Sequence, residues 1–224
     1  MSRPFVFINM AMSADGKIAS CDRKLTTFGS RADHDRLLEL RAKSDAIVTG
    51  ASTLNAQPDI TLSPGKKRSH APLRVIVSGS GQINSKHKIF RTPGSPIVIL
   101  VNEGISRKRL KELKTLTDTV YSSGKNEIDF KKAFDFLSKK YKAKRILCEG
   151  GGKLNDSLLR ANLVDEINLT VCPLILGGKA APTIADGIGF GGLAKAAHFK
   201  LHSLEEADKE IFLTYRAIKS SKNG

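Results

Sequence analysis

Apolar residues recur along this chain in short, nearly unbroken runs rich in valine and isoleucine: Phe5 to Ile8, Ala46 to Val48, Val75 to Val77, Ile97 to Val101, Ile146 to Cys148 and Ile167 to Cys172. Runs of this kind, with little polar alternation, predict strands buried on both faces of a mainly parallel sheet. Between them the spacing of apolar positions changes to three and four. Phe130, Phe134, Leu137 and Tyr141 make one apolar stripe behind Asp129, a candidate N-cap, with lysines on the other face, so a helix is predicted from Asp129 to Tyr141. Further helices are predicted from about Ala32 to Ala42 after Ser30, from Ser106 to about Thr115, and from about Lys153 to Ala161. Strands alternating with helices imply βαβ crossovers, hence an α/β domain whose helices cover the sheet. From His198 onward the pattern changes: Phe199 to Leu204 and Ile211 to Ile218 flank the polar stretch Glu205 to Glu210, which reads as an antiparallel hairpin closing the sheet.

Composition narrows the class. The chain has 224 residues, 40% apolar and 26% charged, with no internal repeat, low-complexity linker or clear boundary, so a single domain over residues 1–224 is expected. The apolar stretch at the amino end is interrupted by Asn9, Ser13 and Asp15, unlike a signal peptide, and no run approaches the roughly 20 residues of a membrane span. A soluble cytoplasmic protein with no membrane partner is the expectation. Thirty-seven Lys and Arg against 22 Asp and Glu leave a net charge of +15, which suits anionic ligands without choosing among phosphates, nucleic acid and acidic lipids. Cys21, Cys148 and Cys172 fit neither a disulfide framework nor metal spacing and read as small buried apolar side chains. His198 and His202 lack a third ligand, so no metal is expected.

Glycine is concentrated. Nine of the 19 lie between residues 150 and 192. Gly150, Gly151 and Gly152 stand between the strand RILCE and a helical run, where a glycine-rich turn exposes backbone N–H groups at a helix amino terminus, the makings of a phosphate cradle. The dinucleotide fingerprint G-x-G-x-x-G is not met, since Asn155 stands where the last glycine would, and no G-K-[ST] follows. A related turn, Thr49-Gly50-Ala51-Ser52-Thr53, ends the second strand; its hydroxyls can cap a helix or bind a phosphate oxygen, and either reading satisfies the local chemistry. Ser78-Gly79-Ser80-Gly81 is a third such junction, and the carboxyl ends of strands are where α/β sheets place ligands. Glu149, the acid just before the triple glycine, is a functional candidate because burying an unpaired carboxylate is costly.

Four blocks together identify a resemblance: NMAMSADGKIA (9 to 19), LRAKSDAIVTGASTL (40 to 54), LCEGGGKLNDSLLRANLVDEINLTVCPLILGG (147 to 178) and APTIADGIGF (181 to 190). The chain resembles, almost end to end, the pyrimidine reductases of riboflavin biosynthesis, a family comprising the carboxyl-terminal domain of the bifunctional deaminase/reductase and the stand-alone archaeal and fungal enzymes. The resemblance implies a dihydrofolate-reductase-like three-layer α/β fold, NADPH as cofactor with NADH as the other candidate, a homodimer, and reduction of a ribosylamino-pyrimidine phosphate to its ribitylamino form by hydride transfer to the sugar C1′. It puts Gly50, Thr53, Ser78, Gly79, Gly151, Gly152, Lys153 and Leu154 beside the cofactor. Arg41, Ile60 and Glu149 match substrate-facing positions, and Glu149 is the candidate to assist ring opening. The strand region from Leu163 to Leu176 is expected to contribute to a dimer interface.

The chain departs from its relatives at several points. Where they carry two acids before a proline and then an arginine, Asn55, Ala56 and Gln57 precede Pro58 and Ser63 stands at the arginine's place, with Lys66, Lys67 and Arg68 nearby. Ser78, Gly79 and Gln82 replace their Asp-Ser and arginine, and the loop from Leu25 to Gly29 lacks their substrate-facing residues. Two further readings therefore stay open. One is a reductase of the same fold acting on another pterin-like or pyrimidine substrate. The other is a basic nucleic-acid-binding protein, against which stands an aromatic content of 6% and the placing of Phe134 and Tyr141 on an apolar stripe.

Overall fold

A computed structural model describes residues 3–23, 28–65, 71–117 and 119–218. Nine strands form one sheet: β1 (Phe5–Ser13), β2 (Ala46–Gly50), β3 (Leu73–Val77), β4 (Ile97–Val101), β5 (Thr119–Ser122), β6 (Arg145–Cys148), β7 (Glu166–Cys172), β8 (Phe199–Ala207) and β9 (Glu210–Ala217). Among the described residues five α-helices accompany them: α1 (Arg31–Ala42), α2 (Ala51–Ala56), α3 (Arg107–Lys114), α4 (Phe130–Tyr141) and α5 (Gly152–Arg160). The strand order is β5-β4-β3-β2-β6-β1-β7-β9-β8. Every pairing from β5 to β7 is parallel, and only β9 against β7 and β8 against β9 are antiparallel. After β1 the chain steps outward through β2 to β5, returns to insert β6 between β2 and β1, and then builds the other half of the sheet. That reversal opens a crevice at the carboxyl ends of the central strands, as in other open α/β sheets.

The apolar runs bury both faces of the sheet. Val6, Ile8, Val48, Val75, Ile146 and Cys148 pack under α4 and α5, through Phe134 and Leu137 of α4 and Leu154 and Leu158 of α5. Their alternate neighbours Phe7, Ile47, Ile76, Ile99 and Leu147 face the other way, onto Leu54 of α2, Leu113 of α3, Leu62 and Ile89. Side-chain alternation along a strand turns uninterrupted apolar sequence into two cores. Ser30, Ser106 and Asp129 cap α1, α3 and α4, each accepting from a backbone N–H in the first turn.

Several expectations need correcting. β5 and α2 have no counterpart in the apolar pattern. The carboxyl-terminal hairpin is longer than predicted: β8 runs through Glu205 and Glu206 to Ala207, which pairs with Glu210. The turn is only Asp208-Lys209, both with positive φ (49° and 68°), as a two-residue hairpin turn demands. Cys148 and Cys172 are buried, but Cys21 is exposed. β7 is an interior strand with both edges paired, to β1 and β9; in the region from Leu163 to Leu176 the large exposed apolar side chain is Ile175, and others are Ile188 and Leu193 before the hairpin and Leu201, Leu204 and Ile211 on it. The Leu25–Gly29 loop lies mostly, and Lys66, Lys67 and Arg68 lie wholly, outside the described residues.

Candidate active site

The crevice is one cleft of about 1100 Å³. The residues that the resemblance puts beside cofactor and substrate line it: Arg41, Gly50, Thr53, Ile60, Ser78, Gly79, Glu149, Gly151, Gly152, Lys153 and Leu154; Gly150 and Gly81 do not. Arg41 comes from the last turn of α1, and the others from the carboxyl ends of β2, β3 and β6 and the segments that follow each. The ends of β2 and β6 are tied directly, since Gly50 N donates to Gly150 O at 2.9 Å and Glu149 N to Val48 O at 2.9 Å.

On one side of the cleft, two helices begin without a side-chain cap. Gly50 precedes α2 and Gly151 precedes α5, and neither makes a side-chain cap hydrogen bond, in contrast to α1, α3 and α4. Ser52 and Thr53 therefore do not cap a helix; they sit in the first turn of α2. A Cβ on Gly151 would lie 2.9 Å from Thr53 Oγ1, and one on Gly152 would lie 2.6 Å from Thr183 O and 2.9 Å from Asp186 N. Only glycine lets α5 start this close to Thr53 and to the 183–186 loop. The unpartnered N–H groups at the start of a nine-residue helix, flanked by the Thr53 hydroxyl and Lys153, suit phosphate oxygens.

The other side is built around an ion pair. Arg41 Nε and Nη2 donate to Glu149 Oε1 and Oε2 at 2.6 and 2.7 Å, and Nη1 donates to Ser63 O at 2.8 Å. The two side chains are only 12% and 9% exposed. Burial works against the Arg41 charge, but the neighbouring Glu149 carboxylate outweighs it and holds the guanidinium pKa above its usual value. The fork of Arg41 thus orients Glu149 and the chain at Ser63 and does not reach freely into the cleft. An arginine at this place predicts recognition of substrate oxygens; the geometry makes its first duty the aiming of a carboxylate.

Apart from Arg41, sequence reasoning missed the wall contributed by β1 and α1. Asn9, Met10, Asp33, His34 and Leu37 all line the cleft. Asn9 is 8% exposed and its Oδ1 has no hydrogen-bond partner; Asp33 Oδ1 is likewise buried and unpartnered. Burial, with the nearby Glu210 carboxylate adding to it, raises the Asp33 pKa, although a hydrogen bond from Thr170 opposes the shift. The signal for Asn9 was present as the polar break in an apolar strand. Asp33 lies in a helix with no buried residue, where nothing in the pattern marks it. The described lining holds three Lys or Arg (Arg23, Arg41, Lys153) and five carboxylates (Asp33, Asp59, Glu127, Glu149, Asp186), so the net charge of +15 resides mainly on the outer surface.

The RibD C-terminal domain model matches residues 4–213. A protein of Archaeoglobus fulgidus named 2,5-diamino-6-ribosylamino-4(3H)-pyrimidinone 5′-phosphate reductase is 32% identical over 197 residues, covering 84% of this chain and 89% of that protein. Reductases of the same name from Methanothermobacter thermautotrophicus and Aquifex aeolicus are 31% and 29% identical, over 95% and 97% of this chain and 98% of each relative. Among solved structures, RibD of Acinetobacter baumannii superposes with a TM-score of 0.77 at 25% identity; the match covers 97% of this chain but 59% of that one. A pyrimidine reductase-like protein of Corynebacterium diphtheriae has the same fold, with a TM-score of 0.78 at 22% identity over 97% of this chain and 93% of its own.

Proposed function

The chain belongs to the RibD C-terminal domain family, and within it we propose an oxidoreductase that uses NADPH to convert a ribosylamino-pyrimidinone 5′-phosphate to its ribitylamino form in riboflavin biosynthesis. The observation that carries this reading is the cleft itself: an uncapped helix start with Gly151, Gly152 and Thr53 on one side, and the buried Arg41–Glu149 pair on the other. The first suits a dinucleotide phosphate and the second a polar substrate, and they face one space. Gly50, Thr53, Gly151, Gly152, Lys153 and Leu154 would hold the pyrophosphate and nicotinamide region, with Ser78 and Gly79 toward the adenosine. The tight approach at Gly151, where a Cβ would meet Thr53, supports the fit.

When bound, the cofactor would supply the hydride that reduces the sugar C1′ once the C1′–O4′ bond has broken; the freed ring oxygen takes one proton from solvent to become a hydroxyl, and the adjoining nitrogen keeps its proton as the amine of the product. The chain's own residues bind and orient. Arg41, Ile60 and Glu149 line the substrate side, and the paired, oriented carboxylate of Glu149 is placed to hold a proton at the ring oxygen or the amine nitrogen as the ring opens. The unpartnered acceptors Asn9 Oδ1 and Asp33 Oδ1 favour a heterocycle rich in N–H donors, which supports the diamino pyrimidinone over its deaminated uracil counterpart.

We also read residues 1–224 as a single dihydrofolate-reductase-like domain that works in the cytoplasm as a homodimer. The exposed Leu201, Leu204 and Ile211 support the dimer by offering apolar surface on the hairpin. No helix among the described residues is long and apolar enough to cross a membrane. Light scattering at micromolar concentration checks the dimer; a monomer refutes it.

Purified protein should oxidise NADPH in the presence of the diamino substrate, and more slowly with the uracil form or with NADH. Tight NADPH binding without turnover of either pyrimidine would favour a same-fold reductase acting on another heterocycle.

A further inference from the structure

The cleft wall at residues 57–61 has no regular structure, yet it carries Ile60 on the substrate side. What fixes it is the segment after β3. Asn84 N donates to Asn55 Oδ1 at 2.9 Å, and Asn55 Nδ2 donates back to Gln82 O at 3.4 Å. His87, only 3% exposed, sets its Nε2 2.9 Å from Gln57 O. Its Nδ1 accepts from Ile89 N at 3.1 Å, so the ring carries its proton on Nε2 and donates it to Gln57 O. Gln57 O also accepts from Ile60 N at 3.2 Å. The imidazole therefore runs from a short 3₁₀ turn, anchored by fully buried Ile89, to the carbonyl that closes the turn presenting Ile60. The same segment begins at Ser78 to Gln82, which lines the cofactor side of the cleft.

We propose that His87 and Asn55 are positioning residues that set the substrate-side wall of the cleft from its cofactor-side turn. His87 stands behind the residues that line the cleft, and Asn55 lines it beside Gln57. Their effect is on how well the 57–61 wall meets the substrate, so the inference rests on the function proposed above. Loss of the Nε2–H bond should weaken substrate binding and leave the cofactor site and the chemical step intact.

Two replacements separate the ends of the imidazole. The amide of H87Q reaches the Nε2 position and can donate to Gln57 O, whereas the shorter amide of H87N reaches only the Nδ1 position and keeps the bond from Ile89 N. Steady-state kinetics with the diamino pyrimidinone phosphate should give a KM about tenfold higher in H87N, with H87Q within about threefold of wild type. In both variants kcat, and the NADPH Kd measured by fluorescence, should stay within about twofold of wild type. A wild-type KM in H87N, an equal rise in H87Q and H87N, or a parallel loss of NADPH affinity would overturn the proposal. If the wild-type protein turns over neither pyrimidine, the function reading fails on its own, and amide exchange at Ile60 then decides. Faster exchange in H87N, with H87Q near wild type, supports the strut; unchanged exchange in H87N sinks it.

Discussion

Replacing Glu149 by Gln leaves a buried guanidinium facing an amide. In the wild type both Glu149 oxygens accept from Arg41, at 2.6 and 2.7 Å. In the variant one of those acceptors becomes an NH₂ directed at another N–H donor. Removing one partner of a buried ion pair costs roughly 3–5 kcal/mol, because the remaining charge stays desolvated. Arg41 keeps its bond to Ser63 O at 2.8 Å and the pair is not wholly shut off from water, at 12% and 9% exposure, so the lower end, about 3 kcal/mol, is expected. For a domain of this size that is a fall in Tm of roughly 6–12 °C. Replacing both residues by apolar ones of similar volume, Arg41→Met with Glu149→Leu, should cost only about 1 kcal/mol, since no charge is left unpaired. The assay is urea unfolding of Arg41→Met, Glu149→Leu and the double variant, analysed as a cycle; singles of about 3 kcal/mol each against a double of about 1 kcal/mol give an expected coupling of about 5 kcal/mol. Additive effects, or a loss below about 1 kcal/mol in Glu149→Gln, would refute the argument that this pair is a buried strut. Single-turnover reduction in the same variant separates stability from chemistry: a hydride-transfer rate equal to wild type removes Glu149 from any part in ring opening.

Other expectations concern separate places in the molecule. Gly152→Ala must displace the backbone at Thr183 or Asp186, so NADPH Kd should rise at least about tenfold by fluorescence titration, and an unchanged Kd would break the link between this close approach and the cofactor. The Asp15 carboxyl is held down at about 2 by the Ser13 hydroxyl and the N–H groups of Leu176 and Gly177, against a smaller opposing effect of burial. Its stabilising effect is complete above the ordinary carboxylate value and is lost as pH falls through about 2. The stability of Asp15→Asn should consequently fall less steeply than that of wild type between about pH 4 and pH 2, as read by circular dichroism. Burial pushes the thiols of Cys148 and Cys172 up to about 12, so a thiolate-seeking reagent at neutral pH should label only the exposed Cys21 in the folded protein and all three after unfolding.

Much of this arrangement is legible in the sequence because the elements concerned follow local rules. Uninterrupted apolar runs mark strands with two covered faces. Ser30, Ser106 and Asp129 mark helix starts one residue before Arg31, Arg107 and Phe130. Gly150 to Gly152 mark the turn from β6 into α5, where the backbone runs too close to Thr183 and Asp186 for a side chain at Gly152. The remainder depends on distance along the chain. Arg41 and Glu149 are separated by 108 positions, so no spacing argument pairs them, and the arginine fork is read more naturally as a free ligand for substrate oxygens. β5 is four half-buried residues, too short for periodicity to register, and six-residue α2 offers one and a half turns. The hairpin turn is obscured because Asp208 and Lys209 are not the Asn-Gly pair usually found at two positive φ angles.

The position of β1 in the sheet bears on how the chain acquires its structure. Its partners are Arg145–Cys148 on one side and Glu166–Cys172 on the other, so the strand made before all the others is completed by some of the later ones. At roughly 5–20 residues per second, about 8–32 s separate the synthesis of Phe5 from that of its β7 neighbours. For that interval an apolar strand has no sheet to enter, while β2, β3 and β4 can already pair with one another. The centre of the sheet, and with it the Asn9 side of the cleft, is therefore finished late. Damage to β7 would be felt first as an amino-terminal strand paired on its β6 edge alone, with the other edge open to chaperones and to aggregation.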